Sequence, residues 1–239
     1  MGHLTGKEAI LRQLQKRLHQ NPIGLPEHTS IYEILSILFT EKEAEVGARF
    51  PLGVVTIKEL QEAVGKDKDE LEGILKGMMK KGLVVTTSKD GQTRYLLSAA
   101  FVGFFEFTFM RTSETLPIKQ LAELMHTYKN TPEFVQEFFS PETSRGRAYI
   151  YSGDLPKVKS EVLRLDEAAE HIKMAGRGSL GKCYCRLEAW HLGKNCSAPI
   201  DDICMSLGNT SDFLVEQEFA RRASVEELLE ALKKAEDLG

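Results

Sequence analysis

The apolar residues in the first fifty positions recur at the spacing of amphipathic helices. In residues 7–19 they stand at every third or fourth position, and similar spacing returns in residues 31–46. NPIGLPEHTS separates the two stretches with two prolines and a glycine, which interrupt helices. The second stretch is predicted to form two helices that meet near Thr40, because TEKE has the sequence of a capping box.

The next forty residues predict two more helices and a hairpin. TIKE is a second capping box and predicts a short helix through Val64. Asp67 or Asp69 can cap the following helix, whose apolar residues share one face, and Gly82 is expected to end it. The β-rich runs on both sides of Asp90 and Gly91 predict a hairpin. This order of elements is typical of a winged helix-turn-helix.

The second half of the chain mixes helices with short extended pieces. Residues 101–110 are rich in aromatic side chains and predict a buried helix, and residues 118–139 predict a helix interrupted near TPE. A strand and a loop are expected within residues 145–157, followed by a helix capped by Asp166. The last helix is predicted to begin with the capping box SVEE.

The composition is that of a soluble globular chain. At 239 residues, with 42% hydrophobic and 28% charged residues, the chain can bury a substantial core. Its net charge of −4 disfavours non-specific binding to nucleic acid. FVGFFEFTF is far shorter than the roughly 20 apolar residues that span a bilayer, and MGHLTGKEAI lacks the apolar stretch of a secretory signal. We therefore expect a cytoplasmic protein with no membrane partner.

The cysteines indicate a metal centre. All four lie within 22 consecutive residues, with the spacing C-x-C-x10-C-x7-C. Disulfides are rare in the cytosol and are the weaker interpretation, because clustered thiols there more often bind metal. Four thiolates are a complete ligand set for a zinc ion or an iron–sulfur cluster. The predicted ligands are Cys183, Cys185, Cys196 and Cys204.

The spacing of the first two cysteines bears on which metal is bound. The thiolates around a zinc ion are within about 4 Å of each other, and zinc sites commonly use C-x₂₋₄-C spacing. On an extended backbone, the side chains of Cys183 and Cys185 would point to the same side, ~6.5–7 Å apart. The wider separation suits a cluster, whose cysteines bind different irons. Spacing therefore favours an iron–sulfur cluster over zinc, which remains the alternative.

Four stretches of the second half resemble a family of iron–sulfur proteins of anaerobic microbes, the 4Fe–4S ferredoxin-type proteins. They are CYCR, the C-x-x-P segment with acidic residues before the last cysteine, CMSLG, and EQEFARRASVEELLEALKKAEDLG. The resemblance covers residues 162–239, and FTEKEAEV with the winged-helix order extends it more weakly to the first half. It implies that the four cysteines ligate one [4Fe–4S] cluster. Family members usually continue into a tandem ferredoxin module, and this chain stops at Gly239, so we expect a short or truncated form without that module.

Several residues near the cysteines have candidate roles. Arg186 could hydrogen-bond a sulfur or offset the thiolate charge, and Trp190 could shield the centre from water. His191 could serve as a ligand, although four thiols are already present, and Pro199 is expected to fix the turn between the last two ligands. GRGSLG matches the G-x-G-x-x-G of dinucleotide-binding loops, but it lacks the required strand–loop–helix context and is interpreted as a flexible entry to the cysteine segment.

The whole sequence predicts a mostly helical α+β protein in four parts. These are an N-terminal helix and linker at residues 1–30, a winged-helix-like domain at 31–115, a helical connector at 116–160, and a C-terminal α/β domain at 161–239 organised around the four-cysteine centre. We expect one [4Fe–4S] cluster that acts in electron transfer or redox coupling with a redox partner protein or ferredoxin module. No catalytic constellation is present, so an enzyme is not expected, and a homo-oligomer is compatible with the sequence.

Two alternatives remain open. The first is a redox-sensing winged-helix transcription regulator, and the second is a structural zinc-binding interaction protein. The candidate reading helix opens with acidic residues that phosphates would repel, whereas Lys89 and Arg94 lie on the wing. We therefore expect protein–protein or intramolecular packing ahead of DNA as the role of the first domain.

Overall fold

The computed structural model describes residues 6–89, 91–101, 103–111, 116–139, 165–194 and 197–238. This part of the chain is α+β and mostly helical, with two small antiparallel sheets. The strand expected within residues 145–157 lies outside it. Every described helix is too short or too polar to span a bilayer.

The described residues up to 139 form helices and one small sheet. Their order is α1 (Gly6–His19), α2 (Thr29–Leu38), α3 (Glu41–Ala48), β1 (Val55–Thr56), α4 (Ile57–Val64), α5 (Lys68–Lys80), β2 (Val84–Lys89), β3 (Gln92–Leu97), α6 (Phe104–Met110), α7 (Ile118–Lys129) and α8 (Pro132–Phe139). The predicted helices and the hairpin of this half are confirmed. The short strand β1 was not predicted, and it extends the hairpin by pairing with β3.

The predicted caps explain where these helices begin. Thr40 and Thr56 each form a complete capping box with the glutamate three residues later. Asp67, one of the two predicted caps, accepts a hydrogen bond from the backbone N–H of Glu70 at 3.0 Å and starts α5. After α5 the chain turns at Gly82, whose φ of 71° lies in the left-handed region that favours glycine.

Helices α1–α8 and the first sheet enclose one large apolar core. α7 packs along α2, and Tyr128 of α7 is fully buried, with its hydroxyl donating to the Pro26 carbonyl at 2.8 Å. α6 is buried on nearly all sides, as the aromatic run predicted. Phe104 of α6 meets Phe39 edge-on, which joins α6 to the end of α2.

The C-terminal residues form a second small sheet with helices around it. Their order is α9 (Leu165–Ala175), β4 (Gly178–Gly181), α10 (Tyr184–His191), β5 (Cys204–Leu207), α11 (Asn209–Glu216), β6 (Ala220–Ala223) and α12 (Val225–Asp237). β4 is the central strand and pairs antiparallel with both β5 and β6. The predicted capping box at Ser224 is confirmed. Asp166 lies within the first turn of α9 and not before it, so its prediction as the cap was wrong.

GRGSLG is not a flexible entry loop. All residues of its strand β4 are buried, and hydrogen-bonded neighbours lie on both sides. A β-carbon added at Gly178 would lie 2.7 Å from the backbone oxygen of Ser206 and 2.8 Å from a methyl carbon of Leu228. Glycine is therefore used here for close packing in a strand, which explains why the pattern looked like a loop signal.

The second sheet has little apolar material of its own. One cluster of buried side chains joins β4 and β6 to α9 and α12: Ile172, Leu180, Ala223, Leu228 and Ala231. A second cluster joins α11 to α6 and consists of Met110, Phe213, Leu214 and Phe219. We call the second cluster the junction cluster. Because α10 also contacts α6 and α7, the cysteine segment lies against the large core.

Candidate functional site

The C-x-C pair lies at the start of α10. Cys183 is the N-cap, with φ −71° and ψ 106°, and Cys185 belongs to the first helical turn. The two sulfur atoms are 3.8 Å apart. The expectation of an extended backbone that separates them by ~6.5–7 Å was wrong, because the helix begins at Tyr184 and turns the second thiol back toward the first.

This separation changes the comparison between metals. Two thiolates that each lie about 2.3 Å from a tetrahedral zinc ion are about 3.8 Å apart. The distance between the Cys183 and Cys185 sulfurs therefore has the value expected at zinc. The spacing argument that favoured a cluster no longer holds for this pair.

Backbone hydrogen bonds bring the two ends of the cysteine segment together. The N–H of Cys183 donates to the carbonyl of Ile200 at 2.7 Å, and the N–H of Ile203 donates to the carbonyl of Gly181 at 3.2 Å. Cys204 begins β5 and pairs with Gly181. The third described thiol thus lies on the strand next to the one that leads into the C-x-C pair.

Side chains fasten the loop before Cys204. Arg186 of α10 donates to the Pro199 carbonyl at 3.1 Å, so its hydrogen-bond partner there is a backbone oxygen. Arg221 of β6 contacts Asp202 at 3.1 Å, and Lys182 pairs with Asp201. Asp202 has φ 52°, a strained conformation for an aspartate, which the Arg221 contact helps to hold.

The electrostatic surroundings favour a thiolate at Cys183. A hydrogen bond with the Cys185 thiol lowers the pKa of Cys183 to about 6, with help from the nearby backbone N–H and guanidinium of Arg186. Cys183 is the N-cap of α10, and the start of a helix also favours negative charge on the sulfur. The same shared hydrogen bond raises the pKa of Cys185, and burial adds to that rise.

Cys204 lies in more apolar surroundings. It packs against the junction cluster, and burial raises the pKa of its thiol, with further contributions from the charges of Cys183 and Glu106. Tyr184 contacts both the large core and the junction cluster. Burial also raises the pKa of the Tyr184 hydroxyl. The three described thiols therefore lie at the boundary between the two halves of the protein.

Two buried carboxylates, Glu188 and Glu106, lie where α10 packs against α6 and α7. The Lys129 ammonium of α7 is 2.6 Å from a carboxylate oxygen of Glu188, whose other oxygen is buried without a hydrogen-bond partner. Glu106 of α6 accepts a hydrogen bond from the N–H of Gly103 at 2.6 Å. Burial raises the pKa of Glu106 to about 7.

The structure gathers some of the predicted site residues and not others. Cys183 and Cys185 are paired, and Cys204 lies on the adjacent strand opposite Gly181, whereas Cys196 lies outside the described residues. In the part of the chain that is described, no three His, Cys, Asp or Glu side chains are close enough to form a metal-binding group. Trp190 is 53% exposed at the far end of α10, so the expectation that it shields the centre was wrong.

Sequence reasoning missed the buried charges beside the thiols. Glu106 interrupts an otherwise aromatic run, which is a visible signal that its carboxylate needs a partner. Glu188 lies one turn after the C-x-C pair, at the spacing that turns a side chain toward the face of Tyr184. Lys129 gave no comparable signal, because it stands among other polar residues at the end of a helix.

The chain matches no protein-family model, no curated protein and no solved structure.

Proposed function

We propose that the chain is an iron–sulfur protein in which Cys183, Cys185, Cys196 and Cys204 hold one [4Fe–4S] cluster and act in electron transfer. The observation that carries this proposal is the closure of the cysteine segment: Cys183 donates to the Ile200 carbonyl, Ile203 donates to the Gly181 carbonyl, and Cys204 pairs with Gly181. This closure brings the strand that begins at Cys204 beside the start of the C-x-C pair, which supports a shared site for the thiols of the segment. The donor set is purely thiolate, which suits iron–sulfur clusters and zinc more than harder ions.

The surroundings of the thiols fit an anionic centre. The start of α10 and the guanidinium of Arg186 supply positive potential beside Cys183, which offsets thiolate charge. The junction cluster keeps water from one side of Cys204. When bound, a cluster would accept and release single electrons, and a redox partner protein or ferredoxin module would exchange them with it.

A structural zinc ion is the second candidate. The 3.8 Å between the sulfurs of Cys183 and Cys185 favours it, because two ligands of one tetrahedral ion have that separation. A [4Fe–4S] cluster requires these side chains to rotate apart, whereas zinc does not. The resemblance of the cysteine segment to ferredoxin-type proteins favours iron.

The contacts of the first domain favour packing within the protein over DNA binding. Its order of elements and the sheet β1-β3-β2 support the proposal that residues 31–115 form a winged-helix-like domain. β2 of the hairpin packs against α11, and Val85 contacts the junction cluster that also receives Cys204. The wing is therefore engaged by the C-terminal half, and α5 begins with Asp69 and Glu70, which repel phosphate.

Metal analysis under anaerobic conditions tests the proposal. The full chain is purified without oxygen, and iron, acid-labile sulfide and zinc are measured together with the visible spectrum. We expect about four irons and four sulfides per chain and a brown protein. Serine replacement of each cysteine in turn should remove most of the iron, whereas His191→Ala, the matched control on the same segment, should keep it. A colourless protein with one zinc per chain contradicts the cluster and establishes the second candidate.

A further inference from the structure

We propose that Cys183 and Cys185 form a reversible intrachain disulfide when no metal is bound, by exchange with a low-molecular-weight disulfide such as oxidised glutathione. The inference deepens the proposed function, on which it rests, because it adds a regulatory modification to the same thiols. It is carried by the position of the two sulfurs and by the exposure of Cys185.

The two sulfurs need little movement to bond. They are 3.8 Å apart, so about 1.8 Å of approach leads to the 2.05 Å of a disulfide bond. Cys183 is the N-cap of α10 and Cys185 lies in its first turn, so rotation about the side-chain bonds provides such a movement. Cys204 belongs to the next strand and packs into the junction cluster, so its thiol is held toward apolar neighbours.

Either thiol of the pair can begin the exchange, because the two sulfurs are neighbours and Cys185 is exposed to solvent. The thiolate is the nucleophile in such an exchange, so the reaction begins when one of the two thiols loses its proton. The neighbouring thiol then resolves the mixed disulfide.

The exchange balances in two steps. The first thiolate of the pair attacks one sulfur of the oxidised glutathione, forms a mixed disulfide and releases one glutathione thiolate. The second thiol of the pair loses its proton to that thiolate, attacks the protein sulfur of the mixed disulfide and releases the second glutathione as a thiolate. The protein dithiol is oxidised, and one glutathione disulfide is reduced to two thiols. Oxidation removes two of the four ligands, so it blocks loading of the centre until the disulfide is reduced.

The test uses the full chain after removal of metal by a chelator under anaerobic conditions. The chain is equilibrated with graded ratios of oxidised to reduced glutathione, quenched with an alkylating agent, and analysed by intact mass and peptide mapping. We expect the loss of two hydrogens and protection of two thiols, both within the peptide that contains Cys183 and Cys185. Reduction with excess glutathione should reverse the change.

Serine variants distinguish a Cys183–Cys185 disulfide from disulfides that involve the other cysteines. Cys183→Ser and Cys185→Ser should abolish the disulfide and leave a glutathione adduct on the remaining thiol, whereas Cys204→Ser should keep the disulfide. A disulfide that joins either residue to Cys196 or Cys204, or two thiols that stay free at every ratio, overturns the inference. Metal content, measured on unoxidised protein, is a separate readout. A chain that binds neither iron nor zinc but forms this disulfide refutes only the proposed function.

Discussion

Lys129 on α7 holds its ammonium nitrogen 2.6 Å from a carboxylate oxygen of Glu188 on α10. The Glu188 side chain is only 7% exposed, and Lys129 is 28% exposed. This ion pair connects the cysteine-bearing helix to the large core. Removal of one partner leaves a buried charge without compensation, which costs more free energy than the pair itself contributes.

We therefore expect Lys129→Met to lower the free energy of unfolding by about 2–3 kcal/mol, somewhat less than for fully buried pairs because the lysine is partly exposed. The matched control is Lys173→Met, which breaks the exposed pair with Glu170 and should change stability by less than about 1 kcal/mol. Urea denaturation followed by circular dichroism measures both. Equal changes in the free energy of unfolding would show that the Lys129–Glu188 pair contributes no more to stability than the exposed pair.

Glu106 gives the protein a pH-dependent stability. Its pKa is raised from 4.5 to about 7 by burial, so the native state keeps a proton that the unfolded chain releases at lower pH. Between these two values the native state binds more protons, and stability falls as pH rises. Above pH 7 the native state bears the full free-energy cost of ionising the buried carboxyl group, about 3 kcal/mol.

Glu106→Gln should remove this pH dependence. Glutamine keeps an oxygen that can accept from the N–H of Gly103, and it has no charge to bury. The variant should be more stable than the parent by up to about 3 kcal/mol at pH 8 and nearly equal to it at pH 4. Urea midpoints of the two proteins, measured across this range, test the prediction. A difference that does not change with pH would contradict it.

The helices of the first half could be predicted because each has a start signal with a local mechanism. Thr40, Thr56 and Asp67 each satisfy a backbone N–H a few residues later, and no distant contact is needed to recognise such a cap. The hairpin had an equally local signal in its Asp-Gly turn. β1 has two residues and forms only through pairing with β3, so a local pattern could not reveal it.

The second sheet and the geometry of the site depend on tertiary contacts. β4 has the sequence GSLG, which lacks β-branched residues, and it becomes a strand because β5 and β6 pair with it on both sides. The clustering of the cysteines is visible in the sequence, but the start of α10, which sets the distance between the Cys183 and Cys185 sulfurs, is not. One usable signal was overlooked: Gly193, with φ 70° after the helix, is a typical stop signal for a helix that includes Cys185.

The close packing of β4 predicts a strong effect of a single methyl group. Gly178→Ala places a β-carbon 2.7 Å from the backbone oxygen of Ser206, which cannot move without disturbing the sheet. We expect a loss of about 1–3 kcal/mol in the free energy of unfolding. Gly73→Ala is the matched control, because its β-carbon on α5 meets no atom within 4 Å. That change should stabilise the chain by about 0.5–1 kcal/mol, since alanine favours helix. Thermal unfolding measures the stability of both variants relative to the parent. A Gly178→Ala variant as stable as the parent would contradict the argument from close packing.

Loss of the proposed metal centre should loosen the second sheet and leave the first core intact. The cluster on β4, β6, α9 and α12 contains few large side chains, whereas the first core contains buried residues from α1 to α8. Hydrogen exchange of the anaerobic protein, before and after chelation, measures the effect segment by segment. We expect protection to fall in residues 178–181 and 204–207 and to remain in α2 and α7. Cys183→Ser removes a proposed ligand, so without any chelator it should show the same loss of protection as the chelated protein. If the second sheet keeps its protection in both samples, this half of the protein folds without metal.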